Sequence, residues 1–110
     1  MAWQESTFTY LFVTANALTL ASKSKIDDYV ETLKKEIMIR NQYLGGEEVR
    51  TIYFGGGTPS LLSLRHIEDI LESLRNNYNI ISNPEITLEV NPDTIDKGKM
   101  ISLKKLGINR

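Results

Sequence analysis

Segments with a helical period alternate with segments of strand character along most of the chain, and this order restricts the fold more than any other feature. Helices are predicted over residues 24–43, 64–77 and 97–106, and strands over residues 7–13, 49–54 and 85–90. Strands that alternate with helices pair in parallel through right-handed crossovers. The sequence therefore predicts an α/β fold of about three β-α units with a parallel sheet. By pattern alone, this is either a doubly wound sheet or part of a β/α barrel.

The predicted helices carry apolar residues on one face. These side chains recur every three or four positions, as a helical period of about 3.6 residues requires. They are Ile26, Val30, Leu33 and Ile37 in the first helix, and Ile67, Ile70, Leu71, Leu74 and Tyr78 in the second. The expected N-caps are Ser24, Ser63 and Asp96, and the expected end of the third helix is Gly107. The apolar stripes predict the faces that these helices bury.

Composition limits the class of protein. The chain has 110 residues, 41% of them hydrophobic, and a net charge of -1. This is the size of one domain with an ordinary core, and the near-neutral charge argues against a protein that grips nucleic acid. No apolar run approaches the about 20 residues of a membrane span, and the N-terminus lacks the pattern of a signal peptide. A cytoplasmic protein without a transmembrane segment is therefore expected.

Three consecutive glycines, Gly55, Gly56 and Gly57, directly follow the strand predicted over residues 49–54. Ligands of parallel α/β folds bind at the carboxyl ends of strands, and glycines let a ligand reach bare backbone N–H and C=O groups. Thr58 adds a hydroxyl group. A glycine triplet alone is equally typical of a flexible turn, and the string lacks the Gly-Lys-Ser/Thr ending of a phosphate-binding P-loop. The triplet is a candidate ligand loop.

Glu89 lies near the end of the strand predicted over residues 85–90. At that place its carboxylate can receive an ammonium group or a ribose hydroxyl group. Glu85 and Thr87 have the same strand parity, which also fits a row of solvent-facing side chains. Both interpretations stand on the residues alone.

Other residues carry weaker signals. His66, the only histidine, is expected at the surface in the first turn of the second helix, and one histidine cannot form a metal site. Tyr53 and Phe54 are expected in the core rather than as stacking platforms. The residues predict no catalytic group and no metal ligand.

Three strings of the sequence together resemble one family. They are Thr-Ile-Tyr-Phe-Gly-Gly-Gly-Thr-Pro-Ser-Leu-Leu at 51–62, Glu-Val-Asn-Pro-Asp-Thr at 89–94 and Leu-Gly-Ile-Asn-Arg at 106–110. They are similar to the radical SAM proteins related to oxygen-independent coproporphyrinogen III oxidase, a group that includes heme chaperones. The similarity extends over residues 24–110.

The resemblance implies a partial β/α barrel and S-adenosylmethionine as cofactor. In the family, a glycine-rich loop holds the methionine end of the cofactor through backbone groups, which assigns Gly56, Gly57 and Thr58 to this site. The family's strand-end glutamate, which also contacts the cofactor, corresponds to Glu89. The chain would then be the N-terminal part of one barrel domain, from a parent protein of porphyrin metabolism whose small-molecule partner is a porphyrin or heme.

The family's iron–sulfur ligands are missing from this chain. Family members follow a first strand of the type Ile-His-Ile-Pro-Phe with Cys-x-x-x-Cys-x-x-Cys, whose thiolates bind three irons of a 4Fe–4S cluster. The chain contains 0 cysteines, so it cannot assemble that cluster by the family's route. We therefore expect an inactive fragment that keeps part of the cofactor site.

Residues 1–22 depart from the family pattern, whereas residues 23–110 follow it. If the last base of each codon is read with the first two bases of the next from the Ala2/Trp3 junction, permitted codons yield Met-Ala-Gly-Ile-Tyr-Ile-His-Ile-Pro-Phe-Cys-x-x-x-Cys-x-Tyr. We hypothesise that residues 3–19 are an out-of-frame translation of the family's first strand and cluster loop. The alternative is a divergent N-terminus that forms a strand by chance. Codons in the gene that exclude this peptide would refute the frame shift.

Two further function classes remain open. The chain can be a non-catalytic α/β module that binds adenosyl nucleotides through its glycine loop. It can also be a degenerate structural or interaction domain that self-associates through an exposed barrel edge, because unpaired strands and uncovered apolar faces promote association. Binding of S-adenosylmethionine without iron distinguishes the first class from the second.

Overall fold

The computed structural model of the chain describes residues 2–5, 8–15, 23–57, 62–93 and 95–110, and these residues form one sheet with three helices. The strands are β1 (Ala2–Glu5), β2 (Phe8–Ala15), β3 (Glu48–Gly57) and β4 (Asn79–Leu88). The helices are α1 (Lys23–Ile39), α2 (Leu64–Asn77) and α3 (Lys97–Leu106). Strands β2, β3 and β4 are parallel, in the order β1-β2-β3-β4. The predicted α/β fold with a parallel sheet is confirmed.

One strand was not predicted. β1 pairs with β2 in antiparallel fashion, with Ala2 opposite Leu11 and Glu5 opposite Phe8. Its sequence, Ala-Trp-Gln-Glu, is short and carries none of the β-branched residues that mark a strand. An antiparallel edge strand on an otherwise parallel sheet is common in α/β folds. The sheet therefore has three parallel strands, each followed by a helix, and one additional antiparallel strand at its edge.

The strands are aligned so that their carboxyl ends meet at one edge. Phe54 of β3 pairs with Val13 of β2 on one side and with Leu88 of β4 on the other. β4 begins at Asn79 rather than at the predicted residue 85, and its pairing with β3 shifts between Val49 and Thr51. This irregularity absorbs the extra residues at the start of β4 and leaves the register at its end regular.

The core is one cluster of buried side chains from all three parallel strands and all three helices. These residues are Leu11, Val30, Leu33, Ile37, Leu44, Val49, Ile52, Phe54, Leu62, Ile67, Ile70, Leu71, Leu74, Ile86, Leu88 and Leu103. In the predicted helix stripes, Ile26 and Tyr78 are half-buried against this cluster and every other member is fully buried. The helical period therefore identified the buried faces of α1 and α2 correctly.

Two of the three predicted N-caps, Ser63 and Asp96, cap their helices in the structure. The Ser63 hydroxyl oxygen accepts a hydrogen bond from the N–H of His66 (3.1 Å), and Asp96 Oδ1 accepts one from the N–H of Lys99 (2.7 Å). Gly107 ends α3 with φ 108, in the left-handed region. Helix α1 differs, because it begins at Lys23 and places Ser24 inside its first turn rather than at the N-cap. No helix in the described parts of the chain has the length and hydropathy needed to cross a membrane.

Residues 108–110, which follow α3, run beside β4. The Asn109 N–H donates to the carbonyl of Ile86 (2.9 Å), and the Leu88 N–H donates to the carbonyl of Arg110 (3.0 Å). The Asn109 side chain adds two bonds to the same strand: it accepts from the Ile86 N–H (2.8 Å) and donates to the carbonyl of Pro84 (3.0 Å). These bonds hold the segment after α3 against the sheet.

Candidate functional site at the carboxyl ends of the strands

The two faces of the sheet differ in chemistry. On the face that packs into the core, the side chains are Ile52, Phe54, Ile86 and Leu88, all buried. At the alternate positions they are half-buried or exposed, and mostly polar: Thr51, Tyr53, Glu85, Thr87 and Glu89. In a β/α barrel the helices form the outer ring, so the polar face corresponds to the inner side of the barrel.

Tyr53 belongs to this polar face, and the expectation that it lies in the core is wrong. Successive side chains of a strand point to opposite faces, so the burial of Phe54 places its neighbour Tyr53 on the other side. Phe54 is 0% exposed, as predicted, whereas Tyr53 is half-buried. The sequence run is apolar and aromatic at both positions, which hides the alternation.

Glu89 and the glycine triplet meet at one edge of the sheet. Gly55, Gly56 and Gly57 are the last residues of β3, and Glu89 directly follows β4. The Glu89 N–H donates to the carbonyl of Phe54 at 3.0 Å, which continues the strand pairing and brings the glutamate beside Gly55. Two candidate ligand-binding elements that are separate in the sequence are therefore adjacent in the fold.

Gly55 is enclosed by two side chains of the polar face. A Cβ atom at this position would collide with the Tyr53 ring and would lie 2.6 Å from Glu89 Oε1. Glycine is therefore needed here because Tyr53 and Glu89 come together over its backbone. Close approach by a ligand, the role expected for the triplet as a whole, stays a prediction for Gly56 and Gly57.

Tyr53 and Glu89 form a direct hydrogen bond. The Tyr53 hydroxyl donates to Glu89 Oε1 at 2.6 Å, a short distance typical of a carboxylate acceptor. This bond is the largest cause that raises the pKa of Tyr53 above its ordinary value of 10.0, with burial and the charge of Glu89 acting in the same direction. The nearby guanidinium of Arg110 acts in the opposite direction. The phenol is therefore a neutral donor throughout the neutral pH range.

The two glutamates of the polar face differ in their partners. Glu85 Oε1 lies 3.1 Å from Arg110 Nη1, so its charge is paired with a cation. Among the ion pairs of the described residues, none includes Glu89. Its hydrogen bond from the neutral Tyr53 hydroxyl leaves the negative charge in place. Glu89 is therefore the carboxylate at this edge that is able to receive a cationic group of a ligand.

The remaining predicted site residue is Thr58, which lies outside the described residues, as does the segment 16–22 that follows β2. The end of β2 borders the same site, because Thr14 pairs with Gly55 and Ala15 pairs with Gly57. Sequence reasoning placed Gly56, Gly57 and Glu89 in the site and missed Tyr53. The sequence did contain a signal for Tyr53. Residues two positions apart on a strand lie on the same face, so Tyr53 shares a face with Gly55.

The sequence analysis expected His66 to be a surface residue. In the structure its side chain is largely buried and joins α2 to α1 through a contact with Asp27. The His66 side chain is 15% exposed, and Nε2 lies 2.6 Å from Asp27 Oδ1. Nδ1 accepts the Ser63 N–H at 3.3 Å, which places the ring proton on Nε2. The Ser63 hydroxyl oxygen faces the His66 backbone N–H and not the imidazole. The three residues therefore form a helix-start contact and do not constitute an activated nucleophile.

The described residues contain no group of three or more His, Cys, Asp or Glu side chains arranged to hold a metal ion. With 0 cysteines in the sequence, a thiolate-bound 4Fe–4S cluster has no ligands in this chain. An adenosyl cofactor does fit the donor set, because the strand edge presents glycine backbone beside the Glu89 carboxylate, which forms no ion pair within the described residues. The geometry thus defines a segment of a β/α barrel with a ligand edge at the carboxyl ends of its strands.

Comparison with known proteins identifies the family of this barrel segment. The heme chaperone HemW of Escherichia coli is 36% identical over 95 residues, which cover 86% of this chain and 25% of the relative. The oxygen-independent coproporphyrinogen III oxidase of Escherichia coli is 31% identical over 99 residues, or 90% of this chain and 22% of the relative. HemW of Synechocystis sp. is 39% identical over 85 residues, or 77% of this chain and 20% of the relative.

A solved structure supports the same assignment. The coproporphyrinogen III oxidase HemN of Escherichia coli, described as a radical SAM enzyme, matches with a TM-score of 0.75 and 27% identity. The match covers 92% of this chain and 26% of that structure. No protein-family model matches the chain.

The chain belongs to the HemW and oxygen-independent coproporphyrinogen III oxidase group of radical SAM proteins. It spans about a quarter of the length of the curated relatives it matches.

Proposed function

We propose that the chain forms the S-adenosylmethionine-binding part of a radical SAM barrel of heme metabolism and that it performs no radical chemistry by itself. The observation that carries this proposal is the junction of Glu89 with the glycine end of β3, fixed by the 3.0 Å bond between the Glu89 N–H and the Phe54 carbonyl. Family membership supplies the ligand class. The porphyrin or heme partner and a cytoplasmic location are proposed for the parent protein on the same ground.

The chain's own residues are proposed to bind the cofactor in two ways. The backbone groups of Gly56, Gly57 and Thr58 hold the methionine end, since glycine backbone permits close approach. The Glu89 carboxylate binds a polar or cationic group beside Gly55, because no cation within the described residues is paired with it. When bound to an iron–sulfur cluster in the family, the cofactor supplies a carbon radical that abstracts hydrogen.

S-Adenosylmethionine should bind to the iron-free chain with one-to-one stoichiometry in isothermal titration calorimetry. We expect Glu89→Gln to weaken this binding by about 10- to 100-fold, because hydrogen bonds to charged groups contribute about 1.5–3 kcal/mol. The matched control is Glu85→Gln on the same face, whose wild-type carboxylate is already paired with Arg110. This control should bind within about twofold of the unchanged chain. Equal affinity for the two variants would contradict the role of Glu89.

Reconstitution with iron and sulfide tests the predicted lack of radical chemistry. The expected result is no stoichiometric 4Fe–4S absorbance, because the chain offers no thiolate. A HemW protein that carries the family's cysteines provides the positive control under the same conditions. Formation of one cluster per chain would overturn this part of the proposal.

A second candidate is an interaction domain, favoured by exposed apolar side chains near the end of β4 and on α3. Val90, Met100 and Ile101 are 44%, 57% and 50% exposed. Apolar groups in such positions are typical of surfaces that other chain segments or partners cover. A chain that binds no adenosyl ligand and sediments as a dimer or larger species would favour this candidate over cofactor binding.

A further inference from the structure

We propose that Tyr53 is a positioning residue for Glu89, and that it directs the Glu89 carboxylate to the ammonium group at the amino-acid end of an adenosyl ligand. This inference rests on the proposed function, because it specifies how the same site selects its ligand. Tyr53 does not contact the ligand in this proposal. It acts through the hydrogen bond that its hydroxyl donates to Glu89 Oε1.

The geometry shows how the hydrogen bond restricts the carboxylate. Glu89 follows the last residue of β4, and its side chain is exposed. An exposed glutamate at a strand end samples several rotamers, and fixing one of them costs conformational entropy. The 2.6 Å bond from Tyr53 holds the carboxylate over Gly55 before any ligand arrives. Preorganisation of this kind increases affinity because less freedom is lost on binding.

The same contact explains which ligand group the carboxylate receives. Gly55 begins the triplet proposed to hold the methionine end of the cofactor, so Glu89 lies beside that end rather than beside the ribose. A phenol donor occupies Oε1 without neutralising the charge, whereas a lysine or arginine donor would compete with the ligand's ammonium group. Within the described residues no hydrogen bond occupies the second oxygen, Oε2, which can therefore accept from that group. Tyr53 therefore orients the glutamate and preserves its charge.

The protonation state of Tyr53 suits this role. The hydrogen bond to Glu89, burial and the Glu89 charge raise the pKa of the phenol above 10.0. The neutral, donating form is favoured by the fold, so its contribution is fully present below pH 10.0 and is lost as the pH rises through the raised pKa. The donor is thus intact at every pH where an amino-acid ammonium group is charged.

The test uses two ligands and two matched variants. S-Adenosylhomocysteine and 5′-methylthioadenosine share the adenosyl thioether, and only the first carries an amino-acid end. Tyr53→Phe removes the proposed hydroxyl and keeps the ring. Tyr78→Phe is the control, because its hydroxyl donates to the carbonyl of Arg40 (3.2 Å), away from the site. Calorimetry is performed at neutral pH on chains whose folding is verified by circular dichroism.

We expect Tyr53→Phe to weaken S-adenosylhomocysteine binding by about three- to tenfold, because the Glu89 side chain must then be ordered when the ligand binds, and to leave 5′-methylthioadenosine binding unchanged. Tyr78→Phe should change neither. Equal weakening of both ligands, or no weakening of either, overturns the role of Tyr53 while leaving the proposed adenosyl site in place. Failure of the unchanged chain to bind either ligand overturns the proposed function itself, and this inference with it.

Discussion

Phe54→Ala is expected to lower the free energy of unfolding by about 3–5 kcal/mol, the loss typical of removing a buried phenylalanine side chain. Phe54 is 0% exposed and lies in the middle of the single core cluster, on a strand paired on both sides. Domains of this size are stable by about 5–15 kcal/mol, so the change removes about a fifth or more of the total. Urea denaturation followed by circular dichroism measures the shift in midpoint.

The matched control for this substitution is Tyr43→Ala. Tyr43 is also aromatic, but it is 70% exposed in the turn after α1. Its truncation should change stability by less than about 0.5 kcal/mol. A loss below about 1 kcal/mol for Phe54→Ala, or similar losses for both variants, would contradict the position of Phe54 in the core. The absence of a cooperative transition in the unchanged chain would contradict an independently folded core.

The helices were the most predictable elements because their signals are local. Helix α2 has the predicted bounds, Leu64–Asn77, since a serine N-cap precedes an apolar stripe. Helix α3 matches as well, between Asp96 and Gly107. Each signal depends on residues within a few positions of one another, and a sequence reports such relations directly. Helix α1 differed at both ends: it begins at Lys23, one position before the predicted start, and it ends at Ile39, four positions before the predicted end at residue 43.

The strands were predictable in position and less so in detail. A strand's ends depend on its partners, and partners are distant in the sequence. β4 extends back to Asn79 because β3 offers it backbone groups across a register shift between Val49 and Thr51. β1 pairs with the edge of β2, and Trp3 is the single residue among its four of a type enriched in strands.

The sequence predicted where the candidate site lies but not the contacts that arrange it. The rule that ligands lie at the carboxyl ends of parallel strands points to the glycine triplet and to Glu89. Only the family resemblance assigns Gly56, Gly57 and Glu89 to the cofactor, and these roles stay predictions. The Tyr53–Glu89 hydrogen bond joins residues 36 positions apart, and the His66–Asp27 contact joins residues 39 apart. Such pairs depend on strand register and helix packing, which the pattern of one sequence does not specify.

The N-terminal segment joins the sheet even though its sequence departs from the family. β2 pairs with β3 in parallel from Thr9 to Ala15, and Leu11 is buried in the core. β-Branched and aromatic residues in this segment suffice for strand formation, because a strand needs little more than side chains that fit a pleated surface. Strand formation therefore agrees with either origin of the segment. The frame shift stays a prediction for the gene sequence.

Gly55→Ala is expected to have the largest effect on the site itself. The added methyl group would collide with the Tyr53 ring and would come within 2.6 Å of Glu89 Oε1, so both side chains must move apart. Because both are side-chain atoms and not backbone, the fold can adjust, and the loss of stability should be about 1 kcal/mol. The cofactor site loses its oriented carboxylate, and S-adenosylmethionine binding should fall by about 10- to 100-fold.

A measurement without any ligand tests the same substitution. The hydrogen bond to Glu89 is the largest cause of the raised Tyr53 pKa, so its loss in Gly55→Ala should shift that pKa down toward 10.0. Carbon-13 NMR of labelled tyrosine follows this ionisation residue by residue. Gly98→Ala, which adds a methyl group in the first turn of α3, is the control and should leave the Tyr53 titration unchanged. An unshifted Tyr53 pKa in Gly55→Ala would mean that the glycine does not keep Tyr53 and Glu89 together.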